Sequence, residues 1–205
     1  MKTHTQSFAT LCMVLLSATM LCFTTGYQVG DEGRDFSLKN IDGKMLSMKD
    51  MKDAKGVILV FTCNHCPFSK AYEERIIALD KKYAPLGYPV IAINPNDKTR
   101  EPEDSFENMQ IRAKEKGFSF PYLYDESQEI AQSYGATRTP HVYVLKKEGA
   151  KFIVKYIGAI DDNSDEPEKV TAKYAENAVD ALLANKAVAT PETKAIGCGI
   201  KWKAQ

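Results

Sequence analysis

The sequence predicts an α/β protein of three layers, with a central mixed sheet flanked by helices. Two apolar runs rich in β-branched residues, 57–61 and 88–94, are typical of strands that are buried on both faces of a sheet. Between them, apolar residues recur at helical spacing from 68 to 83, and Pro85 and Gly87 end the pattern. A strand, a helix and a second strand in this order predict a parallel pair joined by a right-handed crossover.

An N-terminal β-hairpin and an inserted helix extend this core. Asp42-Gly43 lies between two short strand-like segments and is a strong hairpin signal. A capping box that begins at Asp104 predicts a helix over residues 105–116, which Gly117 ends.

The second half of the chain predicts two more helices and three strands. A strand at 118–124 is followed by a short helix that ends at Gly135. An antiparallel pair of strands, 141–145 and 152–157, precedes a final amphipathic helix over 168–186.

Length and composition indicate one soluble domain, which we expect to span residues 27–186 of the 205. The tail 187–205 lacks periodicity. The chain is 44% hydrophobic and 26% charged, as in globular proteins. Lys+Arg and Asp+Glu number 27 each, so the net charge argues against a nucleic-acid or anionic-membrane partner.

Residues 1–26 have the pattern of a secretory signal peptide. Lys2 precedes an apolar run, 8–23, that is short for a bilayer span, and cleavage after Gly26 fits best. An uncleaved anchor is the alternative, and it would be the only membrane attachment. Large residues before Cys22 disfavour a lipoprotein. We therefore expect an extracytoplasmic protein, periplasmic or secreted.

The tetrad Cys63-Asn64-His65-Cys66 lies between a predicted strand and a predicted helix. In an oxidising compartment such a pair can be structural, catalytic or metal-binding. A structural disulfide over so small a loop would stabilise little, which favours catalysis. The free N–H groups of a helix start stabilise a thiolate, so we expect Cys63 to be an exposed nucleophile and Cys66 to be the resolving thiol.

Two further features accompany the dithiol. An imidazole at His65 can pair with the Cys63 thiolate and make the couple more oxidising, although a plain solvated histidine is the alternative. Thr139-Pro140 enters a predicted strand some seventy residues later. A cis peptide there could present backbone groups beside the sulfurs, while trans is the more frequent isomer for X-Pro bonds in general.

Residues 63–67 after a strand, the crossover to 90–94 and the segment 135–140 before a hairpin together resemble the thioredoxin fold. The N-terminal hairpin and the inserted helix are similar to the redoxin branch of that fold. This branch includes exported thioredoxin-like reductases and the alkyl hydroperoxide reductase/thiol-specific antioxidant proteins. The resemblance covers about residues 30–186. It implies that Pro140 is cis and that the main chain of Thr139 pairs with a bound peptide.

The sequence also departs from the thioredoxin pattern. Thr62 stands where a tryptophan is usual, and residues 56–62 contain no acidic side chain to deprotonate the resolving thiol. The histidine in the third position of the tetrad is similar to that of protein disulfide isomerases and periplasmic thiol oxidases. This similarity implies a couple more oxidising than that of thioredoxin.

Cys198 lies in the tail between Gly197 and Gly199, which allow close approach to other backbone. It could be a small apolar plug, a third thiol that exchanges with Cys63, or a metal ligand. We expect Trp202 to be a packing residue.

These features predict a thiol-disulfide oxidoreductase that acts on protein thiols or disulfides, with an unidentified electron donor or acceptor. The first alternative, a thiol-dependent peroxidase of antioxidant type, needs Thr or Ser three residues before its cysteine. Val60 stands there before Cys63, and Cys63 itself before Cys66.

The second alternative is a module in which Cys63, Cys66 and either His65 or His141 hold copper or zinc. The sequence shows no second pair of ligands. We therefore expect no metal and no cofactor, and the direction of electron flow is left open.

Overall fold

The structure is a computed structural model that describes residues 26–204. The predicted signal segment therefore lies outside the described residues, except for Gly26. None of the helices within the described part of the chain is long and apolar enough to span a bilayer.

A seven-stranded mixed sheet forms the middle layer, in the order β2-β1-β5-β4-β3-β7-β8, and β6 and β9 form a separate two-stranded ladder. The strands are β1 (Leu38–Asn40), β2 (Met45–Leu46), β3 (Gly56–Phe61), β4 (Val90–Asn94), β5 (Tyr122–Tyr124), β6 (Arg138–Thr139), β7 (His141–Glu148), β8 (Lys151–Gly158) and β9 (Cys198–Gly199). Strands β3, β4 and β5 are parallel, and the other neighbours pair antiparallel. The predicted mixed sheet is confirmed.

Four α-helices cover the two faces of the sheet. They are α1 (Pro67–Tyr83), α2 (Phe106–Lys116), α3 (Glu129–Tyr134) and α4 (Tyr174–Leu183). Apolar residues of α1, α2 and α4 form one core with one face of β3 and β4. Residues of α3 form the second core on the opposite face. The three predicted layers are therefore present, and both central strands are buried on two sides, as their apolar runs indicate.

The start of α2 differs from the predicted capping box. Ser105 is the N-cap, and its hydroxyl accepts the N–H of Asn108 at 3.3 Å. Asp104 ends a short 3-10 turn instead, and its side chain points to the dithiol loop. The predicted end of the helix at Gly117 is confirmed, with φ at 65°.

The last helix is shorter than the predicted span 168–186. A separate 3-10 turn covers Pro167–Lys169, and α4 begins only at Tyr174. The Asp162 carboxylate accepts hydrogen bonds from both the backbone N–H and the hydroxyl of Thr171. These bonds compete with helical ones and hold the intervening residues outside the helix.

The C-terminal tail is docked on the domain. Strand β9 pairs antiparallel with β6, so that Thr139 faces Cys198 and Arg138 faces Gly199. Ile200 is buried in the core on the α3 side, and Trp202 packs against the same core. Trp202 is thus a packing residue, as expected. The aperiodic tail belongs to the fold even though its sequence shows no regular pattern.

Helices α1 and α2 are joined by an ion pair. Arg112 donates from Nε and Nη2 to the two carboxylate oxygens of Glu73, at 2.7 and 2.9 Å. The Glu73 carboxylate is nearly buried, and Lys116 approaches it only to 3.7 Å. This pair ties the second half of α2 to α1.

We expect the substitution Arg112→Met to lower the free energy of unfolding by about 2–4 kcal/mol, because it leaves the Glu73 charge buried without its bidentate partner. Urea denaturation measures the change. The control Lys116→Met should cost less than about 1 kcal/mol, because that cation is partly exposed. Equal losses in the two variants would contradict this account of the ion pair.

Candidate active site

The dithiol loop joins β3 to α1. Cys66 is the N-cap of α1 and Pro67 is its first residue, so Cys63 lies in the loop before the helix. Both cysteines are free thiols, and their exposed fractions are 3% for Cys63 and 0% for Cys66. The expectation of an exposed Cys63 on the first helical turn is therefore wrong. The amides of the helix start flank Cys66 instead.

Thr139 touches both sulfur atoms. Its hydroxyl lies 3.2 Å from Cys63 Sγ, and its carbonyl oxygen lies 3.2 Å from Cys66 Sγ. The Thr139-Pro140 peptide is cis, which confirms the expectation from the family resemblance. The main chain of Thr139 is already paired with β9 of the same chain. The structure thus brings Cys63, Cys66, Thr139 and Pro140 together, as predicted.

A buried aspartate, Asp104, supports the dithiol loop. Its buried carboxylate accepts the backbone N–H groups of Asn64 and His65 at 2.6 and 3.2 Å. It also contacts His65 Nδ1 at 2.6 Å and accepts from the Asn96 amide at 2.7 Å. Four contacts from buried groups make this carboxylate the support of the tetrad.

His65 is held on the side of Cys63. Its Nδ1 lies 3.5 Å from Cys63 Sγ, and its Nε2 lies 3.8 Å from a Glu101 carboxylate oxygen. Its side chain is 14% exposed. The alternative of a plain solvated histidine is therefore excluded.

Asn64 completes the fixed loop. Its side-chain amide donates to the carbonyl of Glu103 at 2.8 Å, and its side-chain oxygen accepts from the Tyr122 hydroxyl at 2.9 Å. Every residue between the two cysteines thus has its orientation set by hydrogen bonds.

The surroundings of the two thiols shift their pKa values in opposite directions. Burial, a hydrogen bond to Cys66 and the charge of Asp104 raise the pKa of Cys63. The hydrogen bond from Cys63, and others from Cys198 and from the backbone of Ser69, lower the pKa of Cys66 despite its burial.

The hydrogen-bond partners, in contrast, favour a negative charge on Cys63 and a proton on Cys66. Hydroxyls of Ser69 and Thr139 can donate to Cys63, and the Thr139 carbonyl can accept from Cys66. The two thiols therefore titrate as a pair rather than one at a time.

His141 does not join the dithiol. Its ring packs 4.9 Å from that of Tyr143, and its Nδ1 has no hydrogen-bond partner within residues 26–204. Burial lowers the pKa of His141 to about 4, so its ring is neutral at neutral pH. It is a buried residue of β7.

Within the described part of the chain, one group of side chains has metal-ligand geometry. Its members are Cys63, His65 and Asp104, with ligand atoms within 4.8 Å of one another. The Asp104 carboxylate already has four hydrogen-bonding contacts in the protein, so an ion would have to displace some of them. The group is better described as a supported redox loop.

Cys198 lies next to the dithiol, opposite Thr139 in the β6–β9 ladder. Its side chain lowers the pKa of Cys66, and the neighbouring Gly197 packs against the Thr139 carbonyl that contacts Cys66 Sγ. The possible third thiol is therefore brought into the site, beside Cys66 rather than Cys63.

Comparison with known proteins identifies the family. Residues 29–160 match the model of the AhpC/TSA family. The chain belongs to the AhpC/TSA family. The thiol-disulfide oxidoreductase ResA of Bacillus anthracis is 30% identical over 131 residues, which cover 64% of this chain and 70% of that protein.

Two solved structures are similar to this chain. An uncharacterized conserved protein from Geobacillus kaustophilus is 38% identical with a TM-score of 0.80, covering 87% of this chain and 94% of that one. The exposed lipoprotein thioredoxin Etrx1 from Streptococcus pneumoniae is 21% identical with a TM-score of 0.54, covering 74% and 99%. The latter similarity shows the fold alone. This AhpC/TSA protein has a thioredoxin-like fold and is an oxidoreductase of the thioredoxin type.

We expect Asp104→Asn to lower the pKa of Cys63, because the substitution removes a negative charge that disfavours the thiolate. The pKa of Cys63 is measured from thiolate absorbance against pH. Both proteins carry Cys66→Ser and Cys198→Ser, so that Cys63 alone contributes to the titration. The variant should also lose thermal stability, because an amide cannot satisfy all four partners.

The matched control is Glu103→Gln, since this neighbouring side chain is exposed. Its pKa curve for Cys63 should overlay that of the parent. A raised pKa in Asp104→Asn would mean that Asp104 acts on Cys63 chiefly by holding His65 in place.

Proposed function

We propose that this protein is an extracytoplasmic thiol-disulfide oxidoreductase that acts on protein thiols and disulfides through the Cys63-Asn64-His65-Cys66 dithiol. The observation that carries the proposal is the contact of both sulfurs with Thr139, beside cis-Pro140. A peptide paired with the Thr139 main chain would have its own sulfur next to Cys63. Such a peptide must take the edge that β9 occupies.

The exchange begins with Cys63. Its thiolate attacks one sulfur of a substrate disulfide, the substrate bond breaks, and a substrate thiolate leaves. Cys66 then attacks Cys63 Sγ and releases the second substrate thiol, which leaves a Cys63–Cys66 disulfide. The same steps in reverse oxidise a substrate dithiol. An external electron donor or acceptor sets the direction.

The supports of the tetrad tune this exchange. Because the pKa of Cys63 is raised and that of Cys66 is lowered, a proton that moves from Cys63 to Cys66 produces the attacking Cys63 thiolate. His65 Nδ1 lies 3.5 Å from Cys63 Sγ, where the imidazole can donate a hydrogen bond to the thiolate and make the disulfide a stronger oxidant. Asp104 holds His65 there.

Residues 1–26 support the extracytoplasmic location. Their single basic residue, Lys2, and short apolar run match a cleaved secretory signal, with a mature chain that begins near Tyr27. Protein thiols or disulfides of that compartment are the proposed substrates.

A thiol-dependent peroxidase is the second candidate. The hydroxyls of Thr139 and Ser69, 3.2 and 3.6 Å from Cys63 Sγ, could bind a peroxide oxygen. Val60, at the position where such enzymes need a hydroxyl, argues against it. Peroxide consumption with a thiol donor, far faster than that of a Cys63→Ser control, would favour the peroxidase over the exchange enzyme.

We expect Cys63→Ser to abolish insulin disulfide reduction, since the attacking sulfur is lost. Cys66→Ser should instead accumulate mixed disulfides with proteins of the native compartment, because nothing resolves them. Non-reducing electrophoresis and mass spectrometry detect these adducts. Adducts of the Cys66→Ser variant that map to Cys198 instead of Cys63 would contradict the assignment of Cys63.

We expect the reduction potential of the Cys63–Cys66 couple to be less negative than the value of about −270 mV for thioredoxin. The reason is stabilisation of the thiolate by His65. Titration in glutathione buffers, with Cys198→Ser to isolate the couple, measures it. His65→Gln should make the potential more negative by about 30 mV or more. The control Lys70→Gln, on an exposed side chain of α1, should leave it unchanged.

A further inference from the structure

Three sulfur atoms meet at the Thr139 edge. Cys198 stands directly opposite Thr139 in the antiparallel ladder of β6 and β9. Directly opposed residues project their side chains to the same face of a ladder. The Thr139 hydroxyl lies 3.2 Å from Cys63 Sγ, so this face is the one that carries the dithiol. The register of β9 therefore points Cys198 at the two buried sulfurs.

The tail is held on both sides of Cys198. A Cβ at Gly197 would lie 2.2 Å from the Thr139 carbonyl oxygen, so only glycine permits this approach without a shift. On the other side, Ile200 is buried, and the Lys201 N–H donates to the Asn96 side chain at 2.8 Å. Asn96 in turn donates to Asp104. The position of Cys198 is thus fixed by the same polar network that supports the tetrad.

We propose that Cys198 is a third redox-active thiol, which attacks Cys66 in the oxidised protein and forms a Cys66–Cys198 disulfide. The inference rests on the proposed chemistry of Cys63 and Cys66 and gives that site an additional catalytic residue.

The exchange is balanced without any external oxidant. The Cys198 thiolate, after losing its proton to solvent, attacks Sγ of Cys66 in the Cys63–Cys66 disulfide. The Cys66–Cys198 bond forms, the Cys63–Cys66 bond breaks, and Cys63 leaves as a thiolate that can take up a proton. The protein stays at the same oxidation level, but its disulfide has moved to the edge of the site.

The new disulfide is more accessible than the original one. Cys63 and Cys66 are buried, whereas Cys198 is partly exposed. An external dithiol reductant can attack Cys198 and release Cys66 as a thiolate. Its second thiol then frees Cys198, so two electrons enter the protein from outside.

The state of Cys66 controls the reactivity of Cys198. In the reduced protein, burial followed by the hydrogen bond and charge of Cys66 raises the pKa of Cys198 to about 11. Once Cys66 is part of a disulfide, its charge is gone and the pKa of Cys198 falls. Cys198 is thus a better nucleophile when the dithiol is oxidised than when it is reduced, although burial raises its pKa in both states.

The variant Cys63→Ser tests the proposal, because only Cys66 and Cys198 remain in the described protein. In glutathione redox buffers we expect an intramolecular disulfide between them. After trypsin, it joins the peptide of residues 56–70 to that of residues 195–201. Cys198 that stays fully alkylable, with only glutathione bound at Cys66, would overturn the proposal.

Cys66→Ser is the matched comparison. We expect this variant to bind glutathione at Cys63, with little bond between Cys63 and Cys198, because Cys198 contacts Cys66. Equal cross-linking in the two variants would overturn the assignment of Cys66 as the partner.

Two glycines of the tail provide a second test in the Cys63→Ser background. Gly197→Ala should dislodge β9 and require about tenfold more oxidising glutathione ratios to form the disulfide, because the effective concentration of Cys198 falls. Gly199→Ala should leave the midpoint unchanged, because a Cβ there meets no atom within 4 Å. Indistinguishable midpoints would overturn the docked position of Cys198.

Insulin reduction by the unmodified protein separates the two proposals. If the unmodified protein reduces insulin but the Cys63→Ser variant forms no Cys66–Cys198 disulfide, the proposal for Cys198 is overturned and the proposed function of the dithiol is not. If the Cys66–Cys198 disulfide forms but the unmodified protein reduces no insulin, only the proposed function of the dithiol is overturned.

Discussion

The buried carboxylate of Asp104 is the interaction on which the site depends. A charge without solvent is costly unless hydrogen bonds replace its hydration, and here four groups do so: the backbone of Asn64 and His65, the His65 ring and the Asn96 amide. Because two of these donors are backbone groups between the cysteines, the carboxylate determines the shape of the loop itself. Through Asn96 it also reaches the tail, since the other end of that amide accepts from Lys201.

Asp104 has two opposing effects on the dithiol. Asp104 orders the loop, yet its charge disfavours a thiolate on Cys63. The hydroxyls of Thr139 and Ser69 act in the other direction. One proton transfer between the two thiols moves the thiolate from one sulfur to the other. Exchange chemistry needs this property, because each sulfur must serve in turn as nucleophile and leaving group.

Local patterns predicted most of the fold and the identity of the dithiol. The apolar run of β3 and the helical spacing in α1 are properties of neighbouring residues, and the structure follows them within a few positions. Asp104 was different: its local pattern matches a capping box, and its partners lie some forty residues away in sequence. No local signal distinguishes a capping aspartate from one that turns inward. Burial of Cys63 was missed for a similar reason, since the parts that cover it come from distant segments.

The C-terminal tail lies outside the family match. The match ends at residue 160, whereas the strand that pairs with Thr139 begins at Cys198. The main chain of Thr139 is therefore paired with a segment that lies outside the family match. β9 is only two residues long, and local opening of so small an element costs far less than unfolding of the domain. Ile200 and Trp202, which pack in the α3-side core, resist wholesale release of the tail. Opening confined to the few residues around Cys198 would free the Thr139 edge beside the dithiol while the rest of the tail stays docked.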